Sequence, residues 1–521
     1  MIFQQLIHII KRVCKKLIFN LLTSLIVVYC SFSCPLYSQT NSHIKREFSD
    51  SITKKHQILV LIPQEEQFFL KTILKSSKTK IDYPEYLVLG EQILKKLEKT
   101  GYPFASVKLD SLEFENDTLF CQIKLDKSKY ITYDSIILKG DLTLSKSYLQ
   151  SYLQFKKGNG YNESDIQKIS KRISELQYAI EIQPFGIEFV EEKANLYLFL
   201  NKRKINQFDG IVGFAPINQT TGKIGFTGEL KLALVNTFKI GESVYLRWNA
   251  PETMSQLLDI ETKFPYLFKT PFGADFSFQL DKKDTSYIKM NSNISVNYFF
   301  NGNNFLKTFI DYTTSNRLTT NENSSDSTFG NLTKTMYGIA LYYKNLDFIF
   351  NPRKGVQLIV SASMGKNNTD LEISLSRYAI IGNGKGFIPI YKNIVGMIGL
   401  QSGFLLGKSL YKNEMFRLGG TNSIRGFDEL SIYADQYVFG TLEIRYIMSK
   451  FSYFNLFWDG GWYQQNIGDQ ILSDTPYGFG IGIAFETKAG IFNLSYALGK
   501  QMNNPISLKT GKIHFGIAVQ F

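Results

Sequence analysis

The last nine residues of the chain alternate strictly. Ile513, Phe515, Ile517, Val519 and Phe521 are apolar, while His514, Gly516, Ala518 and Gln520 between them are polar or small. A repeat of two with one apolar face is a half-buried β-strand. The pattern returns upstream. Phe492, Leu494, Tyr496 and Leu498 share a face opposite Asn493, Ser495 and Ala497. Ile294, Val296, Tyr298 and Phe300 share another, and Leu230, Leu232 and Leu234 stand opposite Glu229 and Lys231. About sixteen such segments fit between 206 and 521, at about 20 residues per strand and connection, which suits strands crossing a bilayer at a tilt.

Composition narrows the class. Aromatic residues make up 14% of the chain, with 42 Phe and 30 Tyr but only 3 Trp. Membrane barrels gather aromatics at their two interfaces. A mean hydropathy of −0.11 suits strands that are apolar on one face only. Beyond the N-terminal region no run of about 20 apolar residues occurs, which excludes helical spans there. The pattern predicts a transmembrane antiparallel β-barrel of about 16 strands over 206–521. A long soluble all-β protein is the alternative that shares the alternation.

Lys11, Arg12, Lys15 and Lys16 precede an apolar stretch from Leu17 to Tyr29, and small or polar residues follow through Ser38-Gln39-Thr40. This order predicts a signal peptide over 1–39. Cys30 and Cys34 leave a lipoprotein reading open. Cleavage near Gln39 would leave Cys121 as the single cysteine, so no intrachain disulfide is expected. The formal charge of +13 is an excess of lysine spread along the whole chain. Without a basic stripe it points to lipid and acidic head groups, with no nucleic-acid partner.

Between leader and barrel the period changes. Asn162 can cap a helix whose third position is Asp165, and Ile166, Ile169, Ile173 and Leu176 then recur at helical spacing. A shorter helix is expected over 145–155, with strands at 133–139, 180–190 and 194–200. This β-α-α-β-β order defines a module over 130–205. A looser copy over 40–129 has expected strands at 58–62, 104–112 and 118–125, and helices at 64–74 and 84–99, the latter with Pro84 in its first turn. A single α+β domain is the alternative.

These modules resemble POTRA domains. The order of leader, POTRA-like modules and C-terminal barrel resembles the bacterial outer-membrane assembly and translocation superfamily that includes BamA, TamA and FhaC. The sharpest motif runs from Phe416 to Phe427 and holds Gly419, Gly420, Ile424, Arg425, Gly426 and Phe427. It is similar to the family signature in the long sixth extracellular loop, whose tip folds into the lumen. Phe457-Trp458-Asp459-Gly460-Gly461 matches a Phe-x-Asp-x-Gly pattern on strand thirteen, and Asn351-Pro352-Arg353-Lys354-Gly355 resembles a periplasmic turn of such barrels.

The resemblance implies that Arg425 reaches the lumen wall near Asp459. Elementary physics agrees with the placement of the carboxylate. Lipid disfavours a charge at mid-bilayer, so Asp459 should face inward with Phe457 and Gly461, and Trp458 outward. On strand twelve Leu442, Ile444 and Tyr446 should face lipid, and Thr441, Glu443 and Arg445 the lumen. Glu443 and Arg445 are further candidate lumen charges. Ile513, Phe515, Ile517, Val519 and Phe521 form the C-terminal signal strand, expected to pair with 207–216.

The four His are scattered, and no Ser-His-Asp set, zinc spacing or phosphate loop is readable, so no catalytic residues, metal or cofactor are expected. The resemblance implies an ATP-independent factor of the BamA/TamA type that inserts or translocates proteins. A two-partner secretion transporter of the FhaC type is the alternative, and a passive porin a lesser one. The expected partners are unfolded outer-membrane or secreted clients, outer-membrane lipid and possible accessory periplasmic proteins. The expected location is the bacterial outer membrane, with the N-terminal modules in the periplasm.

Overall fold

The computed structural model describes residues 57–518, apart from 62–72, 74–77, 116–117, 219–222, 253, 319–328, 371, 468–469, 488–489, 503–505 and 507. The expected signal peptide, the helix at 64–74, and Val519 and Phe521 lie outside the described residues.

The first module is a four-stranded sheet. Strands β1 (Gln57–Leu61), β2 (Lys78–Ile81), β3 (Ser106–Glu115) and β4 (Thr118–Asp126) stand in the order β2-β1-β4-β3, with β1 and β4 parallel. Strand β2 was not legible in the sequence, being short and lysine-rich. Helix α1 (Tyr83–Glu98) starts from a reciprocal cap. Glu85 N–H donates to the Asp82 carboxylate at 2.8 Å, and Asp82 N–H to Glu85 at 3.1 Å. Ile58, Leu89, Ile93, Cys121 and Ile123 are buried. Cys121 is a free thiol in that core.

The second module places β5 (Thr132–Lys139), β7 (Lys193–Lys202) and β6 (Ala179–Val190) side by side in that order. Helix α2 (Lys146–Leu153) packs on them. The single helix expected over 162–176 is instead two short ones, α3 (Glu163–Ile166) and α4 (Ile169–Ser174). Asn162 does cap the first, its side chain accepting from Ser164 N–H at 3.0 Å.

The module core continues into the barrel. Tyr148 and Tyr152 of α2 meet the ring of Tyr266, edge-on, at 5.9 Å each, and Tyr266 stacks on Phe299 at 4.5 Å. Tyr266 belongs to a barrel connection and Phe299 to the end of a barrel strand, so the second module is seated on the barrel end it adjoins. Ser145 N–H donates to Lys239 O at 2.7 Å, and the Gln154 side chain donates to Phe300 O at 2.8 Å. Burial pushes the Tyr148 and Tyr152 phenols well up. Tyr152 donates to Arg172 O at 2.8 Å, and Tyr148 accepts from the Tyr178 hydroxyl at 3.0 Å.

The barrel is one antiparallel sheet from β8 (Gln207–Asn218) to β26 (Lys512–Ala518). Its strand order closes, with β26 beside β8. Seventeen segments form it, but β23 (Gln470–Asp474) and β24 (Tyr477–Thr487) both pair with β22 (Tyr453–Ile467) as one interrupted stave, giving sixteen. Inside and outside alternate as membrane crossing requires. On β13 (Tyr287–Asn301), Ile294, Val296 and Tyr298 are exposed, while Ser295, Asn297 and Phe299 are buried. Among the described residues no helix is long and apolar enough to cross a membrane.

Gly241 is where module and barrel meet most tightly. Its φ is +76°, and a Cβ there would stand 2.4 Å from the Tyr148 ring. Gly241→Val should therefore loosen the seat of the second module without unfolding the barrel. The expected outcome is faster hydrogen exchange over 145–155, with the barrel still resistant to unfolding in cold detergent. Unchanged exchange in that helix would contradict the seating.

Candidate functional site

The connection between β18 (Ile394–Leu406) and β21 (Gln436–Ile447) turns back into the barrel. Its stem is a small hairpin, β19 (Phe416–Leu418) paired with β20 (Ile432–Ala434). Gly419 and Gly420 follow the stem in left-handed conformation, at φ +111° and +87°. Two strands face the tip with polar side chains. On β21, Leu442, Ile444 and Tyr446 point outward and Glu443 is buried. On β22, Trp458 points outward, and Phe457 and Asp459 are buried. Thr441 stands opposite Asp459, and Phe439 opposite Gly461.

Arg425 is gripped by both strands. Its backbone N–H donates to Asp459 Oδ2 at 3.1 Å. Its Nε donates to the same oxygen at 2.6 Å and its Nη2 to Oδ1 at 2.7 Å. Nη1 donates to Glu443 Oε1 at 2.6 Å, and Glu443 Oε2 accepts from Arg445 Nε at 2.7 Å. The guanidinium carbon lies 3.5 Å from the centre of the Phe457 ring. This is a chain of alternating charge, Arg445–Glu443–Arg425–Asp459, with two cations for two anions. The planar fork of arginine suits a bidentate carboxylate, and a lysine could not make the same set.

Apolar packing pins the same tip. Ile424 is fully buried and Phe427 nearly so, in a cluster with Leu418, Ile432 and Phe439. Between them Gly426 (φ +95°) passes so close to β25 (Gly490–Lys500) that a Cβ would stand 2.8 Å from Gly499 N. A side chain there would push the tip off the wall. A cavity of about 370 Å³ borders the tip, lined by Lys385, Gln401, Asn422 and Thr441 among others.

The sequence did not reveal a second anchor at the base of the loop. Arg377 on β17 (Leu375–Tyr391) and Glu414 are both fully buried and pair twice, at 2.8 and 3.0 Å. The remaining Arg377 donors reach Lys408 O at 2.9 Å and Ser409 O at 3.2 Å. Asn413 bonds Ser315 Oγ and Gly330 O, each at 2.8 Å, and accepts from Gly330 N–H. Arg417 pairs with Asp281 at 3.0 Å. Alternation puts Arg377 inward, but nothing in its neighbours names a partner 37 positions away.

Of the C-terminal signal strand, Ile513 is exposed, and Phe515 and Ile517 lie within β26. Among the described residues no cluster of His, Cys, Asp and Glu could hold a metal.

Removing Arg425 leaves Asp459 buried without its cation. A buried pair broken this way costs about 3–5 kcal/mol, and the bordering cavity lowers that to about 2–3 here. Arg425→Ala should still fold as a barrel but exchange amide hydrogen faster over 419–428. Arg425→Ala combined with Asp459→Asn should be less unstable than Arg425→Ala alone. Equal stability of the single and double variants would show the pair is not coupled.

Residues 236–521 match the Omp85 superfamily domain. The fold is similar to that of CdiB from Escherichia coli, with a TM-score of 0.59, 13% identity and 94% of each chain covered. CdiB from Acinetobacter baumannii gives a TM-score of 0.57 at 15% identity over 98% of each chain. Outer envelope protein 80, chloroplastic, from Arabidopsis thaliana is 26% identical over 133 residues. That stretch is 24% of this chain and only 17% of the plant protein. The matched domain takes in more than half of the chain, including the loop, Arg425 and Asp459, and the chain belongs to the Omp85 superfamily.

Proposed function

We propose that this protein moves unfolded β-rich proteins into or across the outer membrane without ATP, as an assembly factor. The carrying observation is a superfamily barrel whose lumen is crossed by an anchored loop and whose second module is seated on one end. The modules, read as POTRA-like domains over 40–129 and 130–205, lie in the periplasm in this proposal. Strand β6 is a sheet edge, and an extended client could add a strand to it. Its ladder slips register between Gln183 and Gly186, next to Pro184, leaving 186–190 as the longer regular edge. A passive porin is disfavoured, because its function needs neither module nor anchored loop. A dedicated secretion pore is the second reading, favoured by the count of two modules. Arg425, Asp459, Glu443 and Arg445 serve in either reading as the lock that sets the position of the loop. No residue is assigned a catalytic role.

Two measurements test this reading. Deleting the gene should deplete a set of β-barrel proteins from the outer-membrane proteome. Loss of one exported protein alone would favour the secretion pore, and an unchanged outer membrane and secretome would contradict both. The second test concerns the junction of β26 and β8. A barrel hides every edge, so an insertase has to expose one transiently. Cysteine pairs scanned between 207–212 and 512–518, in a chain with Cys121 replaced, should yield a cross-link where Cα atoms approach within about 7 Å. The fully oxidised protein should stay folded and lose client assembly by at least tenfold. Assembly at the normal rate would point to a route through the lumen.

A further inference from the structure

Three barrel connections share a device that the proposed function does not use. Phe238-Lys239, Phe268-Lys269 and Tyr391-Lys392 each place an exposed aromatic before an exposed lysine. The lysines take left-handed backbone angles, φ +65°, +64° and +35°. Residues other than glycine seldom do so, which makes the threefold recurrence notable. All three connections lie at one end of the barrel. Lys239 O accepts from Ser145 of the second module, and Tyr266 beside Phe268 sits in that module's core. The connection at 391–394 joins antiparallel strands at the same end, because every second turn of an up-and-down sheet returns there.

The first of these turns is inverted relative to a turn in water. Glu242 is 1% exposed, while Phe238 is 65% exposed. The Glu242 carboxylate accepts from Phe238 N–H at 2.6 Å and Ile240 N–H at 3.2 Å. The acid is thus spent on holding the loop from inside, and the ring is turned out. Phe268 is 90% exposed although its neighbour Tyr266 is buried. Outward Phe beside outward Lys is the arrangement that suits a boundary between hydrocarbon and phosphate. The ring enters the acyl region and the flexible amine reaches back to the head group. At the third turn the Lys392 amine stays 5.2 Å from the centre of the Tyr391 ring, within reach of the same layer.

We infer that these three aromatic–lysine turns form a binding surface for anionic phospholipid head groups on the module side of the membrane. The surface fixes the depth of the barrel end that carries the module. The inference stands independently of which client the protein handles.

The test uses the full chain, folded and reconstituted in phosphatidylcholine bilayers containing spin-labelled phosphatidylglycerol or spin-labelled phosphatidylcholine. The fraction of motionally restricted label gives the relative association constant. The unsubstituted protein should prefer phosphatidylglycerol about two- to fivefold at low salt, and the preference should shrink at high salt. Lys239→Gln, Lys269→Gln and Lys392→Gln together should bring the ratio close to one. A control with Lys95→Gln, Lys124→Gln and Lys157→Gln removes equal charge from the modules and should keep the preference. Retained preference in the turn variant would overturn the inference, as would absence of preference in the unsubstituted protein. Equal loss in both variants would assign the effect to net charge and overturn it as well.

Discussion

Hydrocarbon offers no partner to a peptide group, and this constraint organises the whole barrel. Every N–H and C=O must be satisfied by the neighbouring strand, so the sheet is continuous from β8 to β26. A sheet wrapped in this way has one face for lipid and one for a polar interior, which is why the chain alternates. The interior then collects the charges that lipid rejects. Asp459, Glu443, Glu414 and Arg377 are all nearly or fully buried, yet none lies in an apolar medium. Each is held by hydrogen bonds that replace the water it lost.

Those interior charges make the loop at 407–435 a brace. Its base is fixed to β17 through Arg377 and Glu414, and to residues 315 and 330 through Asn413. Its stem reaches Asp281 through Arg417, and its tip is fixed to β21 and β22 through Arg425. The two ends of the brace differ in kind. The base is sealed, with both ionic partners fully buried. The tip borders a polar cavity, and Arg425 keeps some exposure. Breaking a pair is easier where water can take over its hydrogen bonds, so the tip is the more readily released end.

How much of this was legible follows from the range of each interaction. Alternation is local, so the staves and their faces could be read directly, including outward Trp458 beside inward Asp459. The Arg425 contact was legible only through a resemblance, because the motif and its partner strand lie 34 positions apart. The Arg377–Glu414 pair had neither local signal nor motif. In the second module, the helical spacing of Ile166, Ile169 and Ile173 was real, but it did not show the break at Gln167–Lys168. There the chain passes from α3, capped by Asn162, to α4, whose N-cap residue Lys168 makes no side-chain cap. Strand β2 escaped notice because its four residues, Lys78 to Ile81, are too few to show a period.

The supports are not shared evenly around the ring, and this bears on where it can yield. The second module is seated mainly on the connections at 236–242, 265–271 and 301–303, in the first half of the barrel, and Arg203 at its end also lies over the rings of Phe350 and Phe451, at 5.3 and 5.8 Å. Strand β8 follows the module after only four residues, 203–206. The loop tip is held by β21, β22 and β25 in the second half. Across to β26 the loop has the pair Lys512–Asp428 at 2.7 Å, but Asp428 is 72% exposed in its side chain. Such a pair contributes little, on the order of 0–1 kcal/mol. The junction of β26 with β8 therefore lies between a side braced by the module and a side braced by the loop. Parting there would leave the Arg425 lock, the Arg377 anchor and the module seat intact. The tip could also be released without disturbing that junction, since its partners are on other strands. The two motions are mechanically separable, and the architecture does not oblige one to drive the other.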